Sequence, residues 1–170
     1  RDGDLAIIQL ISETTNTMAE GEVFQLLKCG DAGITEEDYF TLIEKKTAVL
    51  IAAACAVGAL MAGASPDRVE ALRAFGHAMG LAFQLTDDTL DYVAAEKEFG
   101  KAIGMDIREG KITLPLIRTL ARCTAGEKET IRGIVERKQA TDEDIAAVFG
   151  LIGKYDGIPY ALDRARTIIA

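Results

Sequence analysis

The sequence is poor in proline, aromatic residues and cysteine, and each shortage excludes a class of protein. Three prolines, no tryptophan and 6% aromatic residues, beside abundant Ala, Leu and Ile, favour helices over a sheet. The three cysteines, Cys29, Cys55 and Cys123, are far apart and odd in number. This argues against a disulfide framework or a zinc site and suits a reducing compartment, so we expect a cytoplasmic protein.

Positive charge is also scarce. The 170 residues contain 19 Lys and Arg against 27 Asp and Glu, which gives a net charge of −8. Such a chain offers no basic footprint for nucleic acid, so no nucleic-acid partner is expected. A phosphorylated ligand would need a local cluster of basic residues or a metal ion. The 49% of hydrophobic residues and 27% of charged residues exclude a disordered or fibrous chain.

One uncharged run, residues 47–66, has about the length needed to cross a bilayer. However, eight of the residues 48–64 are Ala, and Gly58 and Gly63 lie among them. Ala and Gly give little hydrophobic driving force and allow close helix packing. The composition therefore favours a buried helix, and no integral membrane segment is expected.

Apolar residues recur at helical spacing almost throughout, without convincing strand alternation. Thr35 and Thr141 precede acidic residues and are predicted N-caps, and glycines mark residues 97–111 as a charged loop. The expected fold is therefore a single all-α unit over residues 1–170. Its predicted helices cover approximately residues 4–28, 36–62, 66–95, 113–123, 125–138, 141–153 and 158–169.

An acidic stripe is predicted on the helix of residues 66–95, which we expect to be central because its first half is apolar nearly all round. At about 100° per residue, one arc of about 100° holds Gln84, Asp87, Asp88 and Asp91. Like charges about 6 Å apart repel by roughly 3 kcal/mol at an effective dielectric near 20. Mg²⁺ would remove that repulsion, since it prefers carboxylate oxygens and keeps positions open for water or phosphate. A solvated acidic face is the alternative that spacing alone leaves open.

Basic residues near the acidic stripe favour a metal site over a solvated acidic face. Lys101, Arg108 and Lys111 follow it in the glycine-rich loop, and lysine binds phosphate as a point charge. Lys46 lies where the uncharged run begins, and a lysine there either extends to solvent or binds an anion. Together these features predict a helical cleft with a carboxylate–Mg²⁺ cluster and several lysines, which is a diphosphate site.

The same residues resemble the trans-isoprenyl diphosphate synthases, or polyprenyl synthetases. The run 83–92, Phe-Gln-Leu-Thr-Asp-Asp-Thr-Leu-Asp-Tyr, is similar to the second aspartate-rich motif of that family. Lys46-Thr47 is similar to the family's Lys-Thr pair, and residues 100–116 resemble the segment that follows the motif. The likeness extends over most of residues 1–120, and its general character indicates a medium- to long-chain member, similar to octaprenyl diphosphate synthases. It implies a helical bundle around a deep central cavity, usually in a homodimer.

The resemblance also implies roles for individual residues. Lys46, Thr47 and Gln84 would contact an allylic diphosphate, and Lys101 and Lys111 would neutralise the departing diphosphate. Among these, Lys46 and Lys101 are the candidate catalytic residues. A Mg²⁺ ion would be held by Asp87 and, less directly, by Asp88 and Asp91.

The implied reaction joins two substrates. The allylic diphosphate ionises, the double bond of isopentenyl diphosphate attacks the carbocation, and loss of a proton gives a longer all-trans polyprenyl diphosphate. Apolar helices would enclose the growing chain and keep water from the cation.

The family's first aspartate-rich motif, its nearby arginines and its isopentenyl diphosphate residues have no counterpart among these 170 residues. We therefore expect a C-terminal half of a polyprenyl synthetase domain that is inactive alone. One alternative is a non-catalytic regulatory subunit of a heteromeric prenyl diphosphate synthase, but the intact Asp87, Asp88 and Asp91 favour the enzyme. A terpene cyclase of related fold is disfavoured by Lys101 and Lys111.

Overall fold

A computed structural model of the protein describes residues 5–93, 104–137 and 139–170. The regular structure of these residues is helical, as the sequence predicts. A π-helical turn, Glu44–Ala48, joins α2 to α3. The α-helices are α1 Leu5–Lys28, α2 Glu36–Ile43, α3 Val49–Met61, α4 Pro66–Val93, α5 Met105–Arg108, α6 Leu114–Arg122, α7 Ala125–Arg137, α8 Asp142–Lys154 and α9 Gly157–Ile169. Among the described residues, none of these helices combines the length and hydropathy that a bilayer crossing needs.

The two predicted N-caps are confirmed, and one of them orients the start of α2. Thr35 Oγ1 accepts a hydrogen bond from the backbone N–H of Asp38, and the Asp38 carboxylate accepts one from the N–H of Thr35, each at 3.0 Å. This reciprocal capping box satisfies two helix-end donors. Lys28 at the end of α1 adds an ion pair with Asp38 at 3.1 Å. The first turn of α2 is therefore fixed at both its backbone and its side chains.

The predicted helix of residues 36–62 is not uniform, because the π-helical turn interrupts it. Two glycines of neighbouring helices lie in close contact with this turn. A Cβ on Gly80 of α4 would lie 2.5 Å from Ala48 Cα, and a Cβ on Gly21 of α1 would lie 3.0 Å from Lys45 Cβ. The distance at Gly80 is too short for any Cβ, so α4 approaches the turn backbone to backbone, and the distance at Gly21 shows that α1 also packs tightly against it. π-Helical turns are rare in proteins, but those that occur often lie at functional sites.

The core lies between the C-terminal part of α4 and helices α2, α6, α7, α8 and α9. Leu85 of α4, Leu116 of α6 and Val148 of α8 are fully buried in it. Helix α9 packs along both α4 and α6. This core holds the end of α4 that carries the acidic stripe.

We expected α4 to be central because its first half is apolar nearly all round, but one apolar face of this helix is exposed. Gly76, Gly80 and Leu85 are buried, but a stripe of large apolar side chains on the same helix is exposed to solvent. Helical spacing puts the members of this stripe within about 80° of one another, and they are Leu72, Phe75, Met79, Phe83 and Leu90. The sequence shows that these residues are apolar, but it does not show which of them are exposed.

Candidate functional site

A cavity of about 540 Å³ opens between α1, α2, α4 and the segment from α5 to the start of α6. Its volume lies within the range of small-ligand sites. Most of the predicted site residues line it, namely Lys46, Gln84, Asp87, Asp88, Asp91 and Lys111. The four residues of the predicted acidic arc on α4 therefore all line one cavity.

Two predicted residues stand apart from this group. Thr47 does not line the cavity but donates a hydrogen bond from its Oγ1 to Gln84 Oε1 at 2.7 Å. Its contact with the site therefore passes through Gln84. Lys101 lies outside the described residues.

Asp88 is held by two donors. The Tyr39 hydroxyl donates to Asp88 Oδ2 at 2.5 Å, and Gln84 Nε2 donates to Asp88 Oδ1 at 2.7 Å. Burial raises the pKa of Asp88 to about 6, against the effect of these two hydrogen bonds, which lower it. Burial and the charge of Asp88 also raise the pKa of Tyr39 well above its ordinary value, so the hydroxyl keeps its proton and remains a donor. Sequence analysis missed Tyr39 because it is 49 residues from Asp88.

Asp106 extends the acidic cluster from a second element. Its backbone N–H donates to Asp91 Oδ2 at 3.3 Å, and its side chain lines the same cavity. Burial, followed by the negative charge of Asp91, raises the pKa of Asp106, while Lys111 at 3.5 Å opposes that shift. Sequence analysis did not assign Asp106 a role. Its signal in the sequence was an aspartate two residues after a glycine, Gly104, which has a left-handed φ of 65° and is the N-cap of α5.

Lysines of other elements also line the cavity. Lys46 Nζ donates to Gln25 Oε1 at 2.6 Å and lies 3.5 Å from Glu22. Lys111 Nζ lies 2.6 Å from the Glu109 carboxylate. Lys28, paired with Asp38, is a further cation at this cavity, and its signal in the sequence was a basic residue in the last turn of α1.

Arg108 does not join these lysines. Its Nη1 donates to the Ala140 carbonyl at 2.9 Å, and its Nη2 forms an ion pair with Asp142 at the start of α8. The grouping of Arg108 with Lys101 and Lys111 was therefore wrong. The glycine-rich segment turns through α5, and this turn directs the guanidinium to the neighbouring helix.

The donor chemistry of the cavity fits a hard divalent cation. Among the described residues, no three His, Cys, Asp or Glu side chains lie close enough to form a complete metal site. Mg²⁺ does not need one, because it is usually bound by one or two carboxylates together with water and substrate phosphate oxygens. Carboxylates and lysines that line one cavity suit a cation and a diphosphate that bind together.

Comparison with known proteins identifies the family. The sequence profile of polyprenyl synthetases matches residues 2–152. The chain belongs to the polyprenyl synthetase family. It is 42% identical over 135 residues to octaprenyl diphosphate synthase of Escherichia coli, a match that covers 79% of this chain and 42% of the relative. It is 37% identical over 148 residues to geranylgeranyl diphosphate synthase of Sulfolobus acidocaldarius, covering 87% of this chain and 44% of the relative.

Solved structures of this family share the fold. A decaprenyl diphosphate synthase from Rhodobacter capsulatus superposes with a TM-score of 0.91 at 34% identity, over 98% of this chain and 51% of the other. A polyprenyl synthase from Caulobacter crescentus, complexed with calcium and isoprenyl diphosphate, gives a TM-score of 0.89 at 38% identity, over 97% and 50%. The chain thus spans about half the length of the relatives that it matches.

Proposed function

We propose that this polyprenyl synthetase chain binds an allylic diphosphate together with Mg²⁺, as the leaving-group half of the active site of a trans-polyprenyl diphosphate synthase. One observation carries the proposal: aspartates of α4 and lysines of other elements line a single cavity. The matched relatives are named as prenyl diphosphate synthases, which supports this reaction class.

The acidic wall would hold the cation. Asp87 is exposed at the cavity. Asp88 is the next residue along α4, and Asp91 lies one helical turn after Asp87. In the proposed site Asp87 would bind the cation directly, and Asp88 and Asp91 would contribute less directly, with Asp106 beside them. Water and diphosphate oxygens would complete the coordination. The bound Mg²⁺ would supply positive charge to the diphosphate oxygens.

The lysines would hold the diphosphate from the other side. In the proposed site Lys46 and Lys111 exchange their present contacts with Gln25 and Glu109 for diphosphate oxygens. Gln84, which accepts a hydrogen bond from Thr47, lines the same cavity and would complete the anion contacts. Lys101 is included as a further diphosphate contact only because the family resemblance implies that role.

In the proposed reaction the allylic C–O bond breaks, and its electron pair leaves with the diphosphate. The lysines stabilise that negative charge as it develops, which is the usual source of rate enhancement at such sites. The double bond of isopentenyl diphosphate then attacks the allylic cation, and a proton is lost. Orienting two substrates requires an acceptor site as well, so the inactivity of this chain alone stays a prediction, as do the homodimer and the cytoplasmic location.

The regulatory-subunit alternative differs in one observable respect. A subunit without a catalytic site has no need to concentrate aspartates and lysines in one cavity, whereas this chain does so. Retention of Asp87, Asp88 and Asp91 therefore favours the enzyme.

Thermal unfolding of the chain tests the proposal, with Mg²⁺ alone, with methylenebisphosphonate alone and with both. We expect small shifts for each ligand and a larger shift for the pair, because each ligand neutralises the charge that repels the other. At about one hundred times the joint dissociation constant, the gain is about 2.7 kcal/mol. Purely additive shifts, or an unchanged response in the Lys46→Ala, Lys111→Ala double variant, would overturn the proposal.

A further inference from the structure

Two residues of the segment from α2 to the π-helical turn form hydrogen bonds with neighbouring residues of the acidic stripe on α4. Tyr39 of α2 donates to Asp88, and Thr47 of the π-helical turn donates to Gln84. Gln84 and Asp88 are themselves joined by a hydrogen bond at 2.7 Å, one helical turn apart. The result is a continuous chain of hydrogen bonds from Thr47 through Gln84 and Asp88 to Tyr39.

The π-helical turn explains how both ends of this chain reach α4. In a regular α-helix, Tyr39 and Thr47 would differ by about 80° around the axis. A π turn closes its hydrogen bonds over five residues and so rotates less per residue, which reduces that offset. Gly80 lets α4 approach the turn closely enough for the contact, since a Cβ there would lie 2.5 Å from Ala48 Cα.

We infer that Tyr39 is a positioning residue for the cation site: its hydroxyl fixes the carboxylate of Asp88 in the one orientation from which it can serve a bound Mg²⁺–diphosphate. The inference rests on the proposed function of the cavity. Tyr39 touches neither metal nor substrate in this account and acts only through Asp88.

The geometry of Asp88 supports this role. Each carboxylate oxygen has two lone pairs, and the donors Tyr39 and Gln84 use one on each oxygen. The remaining lone pairs then point in fixed directions. Tyr39 is itself 1% exposed and sits directly after the capped first turn of α2, so its ring cannot follow a rotating carboxylate. Without the hydroxyl, Asp88 Oδ2 would lose the side-chain donor that it has in the described part of the chain.

The test is a Mg²⁺ titration at fixed methylenebisphosphonate, followed by calorimetry, on the wild-type chain and on Tyr39→Phe. Loss of a hydrogen bond to a charged group predicts a rise of roughly tenfold in the Mg²⁺ concentration at half-saturation. Tyr155→Phe is the matched control, because the Tyr155 hydroxyl also donates to a carboxylate, Glu127 at 2.7 Å, outside the cavity. It should lower thermal stability without changing the Mg²⁺ titration.

The outcomes separate the two claims. If the wild-type chain shows no Mg²⁺-dependent binding of the bisphosphonate, the proposed function is wrong and the inference is overturned with it. If the wild type binds and Tyr39→Phe titrates like Tyr155→Phe, the hydroxyl is only structural and the inference alone is overturned.

A second pair of variants covers the case in which Tyr39→Phe does not fold. Asp88→Asn keeps the shape of the side chain, and the double variant with Tyr39→Phe leaves no buried carboxylate short of a donor. Because Tyr39 acts through Asp88, the double variant should bind the Mg²⁺–bisphosphonate pair as well as Asp88→Asn does. A further tenfold loss in the double variant would show that Tyr39 acts by another route and would overturn the inference.

Discussion

The backbone N–H of Asp106 donates a hydrogen bond to the carboxylate of Asp91 at 3.3 Å. The contact ties the last turn of α4 to the first turn of α5, so acidic residues from two elements meet in one cavity. The negative charge of Asp91 also contributes, after burial, to the raised pKa of Asp106. The free protein thus holds mutually repelling carboxylates together, and we expect their removal to affect ligand binding far more than folding.

Asp87→Ala is the simplest test of that expectation. It removes an exposed carboxylate from the cavity and relieves repulsion within α4, so folding stability should stay within about 0.5 kcal/mol of the wild type or rise slightly. Binding of the Mg²⁺–bisphosphonate pair should weaken at least about tenfold, because a metal ligand is lost. Urea unfolding and calorimetry measure the two effects. Asp163→Ala, an exposed aspartate on α9, is the control and should change neither.

Lys46 and its neighbour Lys45 offer a matched pair of cations. Lys46 lines the cavity, whereas Lys45 pairs with Glu20 at 2.8 Å outside it. Lys46→Ala should weaken bisphosphonate binding in the presence of Mg²⁺ by roughly tenfold, the usual worth of a charge-assisted hydrogen bond. Lys45→Ala should change it by less than about twofold, since an exposed ion pair contributes little. Equal effects of the two substitutions in calorimetry would mean that only overall charge matters.

The contact between α4 and the π-helical turn predicts a large effect at one glycine. Gly80→Ala would place a Cβ against Ala48, and such overpacking should lower the free energy of unfolding by about 2 kcal/mol or more. It should also weaken diphosphate binding, because the turn carries Lys46 and Thr47. Gly133→Ala in α7 is the control: no atom lies within 4 Å of the added Cβ, so helix propensity should raise stability by roughly 0.5–1 kcal/mol. Urea unfolding measures both.

Glu127 predicts a pH dependence of stability. The ion pair with Lys154, together with hydrogen bonds from Tyr155 and Thr124, lowers its pKa from 4.5 to about 2. Because the folded-state pKa is lowered, the stabilisation by this carboxylate is fully present above pH 4.5 and is lost as the pH falls toward about 2. Glu127→Gln should therefore be less stable than the wild type at about pH 6, and the difference should shrink at about pH 3.

Thermal unfolding at the two pH values checks this prediction. Glu129→Gln removes an exposed carboxylate from the same helix without touching Lys154 or Tyr155, and serves as the control. A gap between wild type and Glu127→Gln that is as wide at low pH as at high pH would contradict the assignment.

Much of the fold could be predicted from sequence because the signals are local. The capping box of Thr35 and Asp38, the proline near the start of α6 and the helical spacing of apolar residues each act within a few positions. The acidic arc on α4 was predicted for the same reason, since Asp87, Asp88 and Asp91 share one helix.

The remainder depends on contacts between distant segments. The π-helical turn lies in close contact with Gly21 and Gly80, which belong to two other helices. Tyr39 reaches Asp88 only because α2 packs beside α4, and Arg108 turns to Asp142 only because α8 begins there. No periodicity within a single helix could reveal these partners.

A crystal structure of the chain grown with Mn²⁺ and methylenebisphosphonate tests the central claim most directly, since the anomalous signal of Mn²⁺ locates the cation without ambiguity. The account predicts one anomalous peak beside Asp87 and Asp91, bridged by bisphosphonate oxygens that contact Lys46 and Lys111. A bisphosphonate bound elsewhere on the chain, or a cavity that holds lysine-bound anion but no Mn²⁺ at the aspartates, would contradict it.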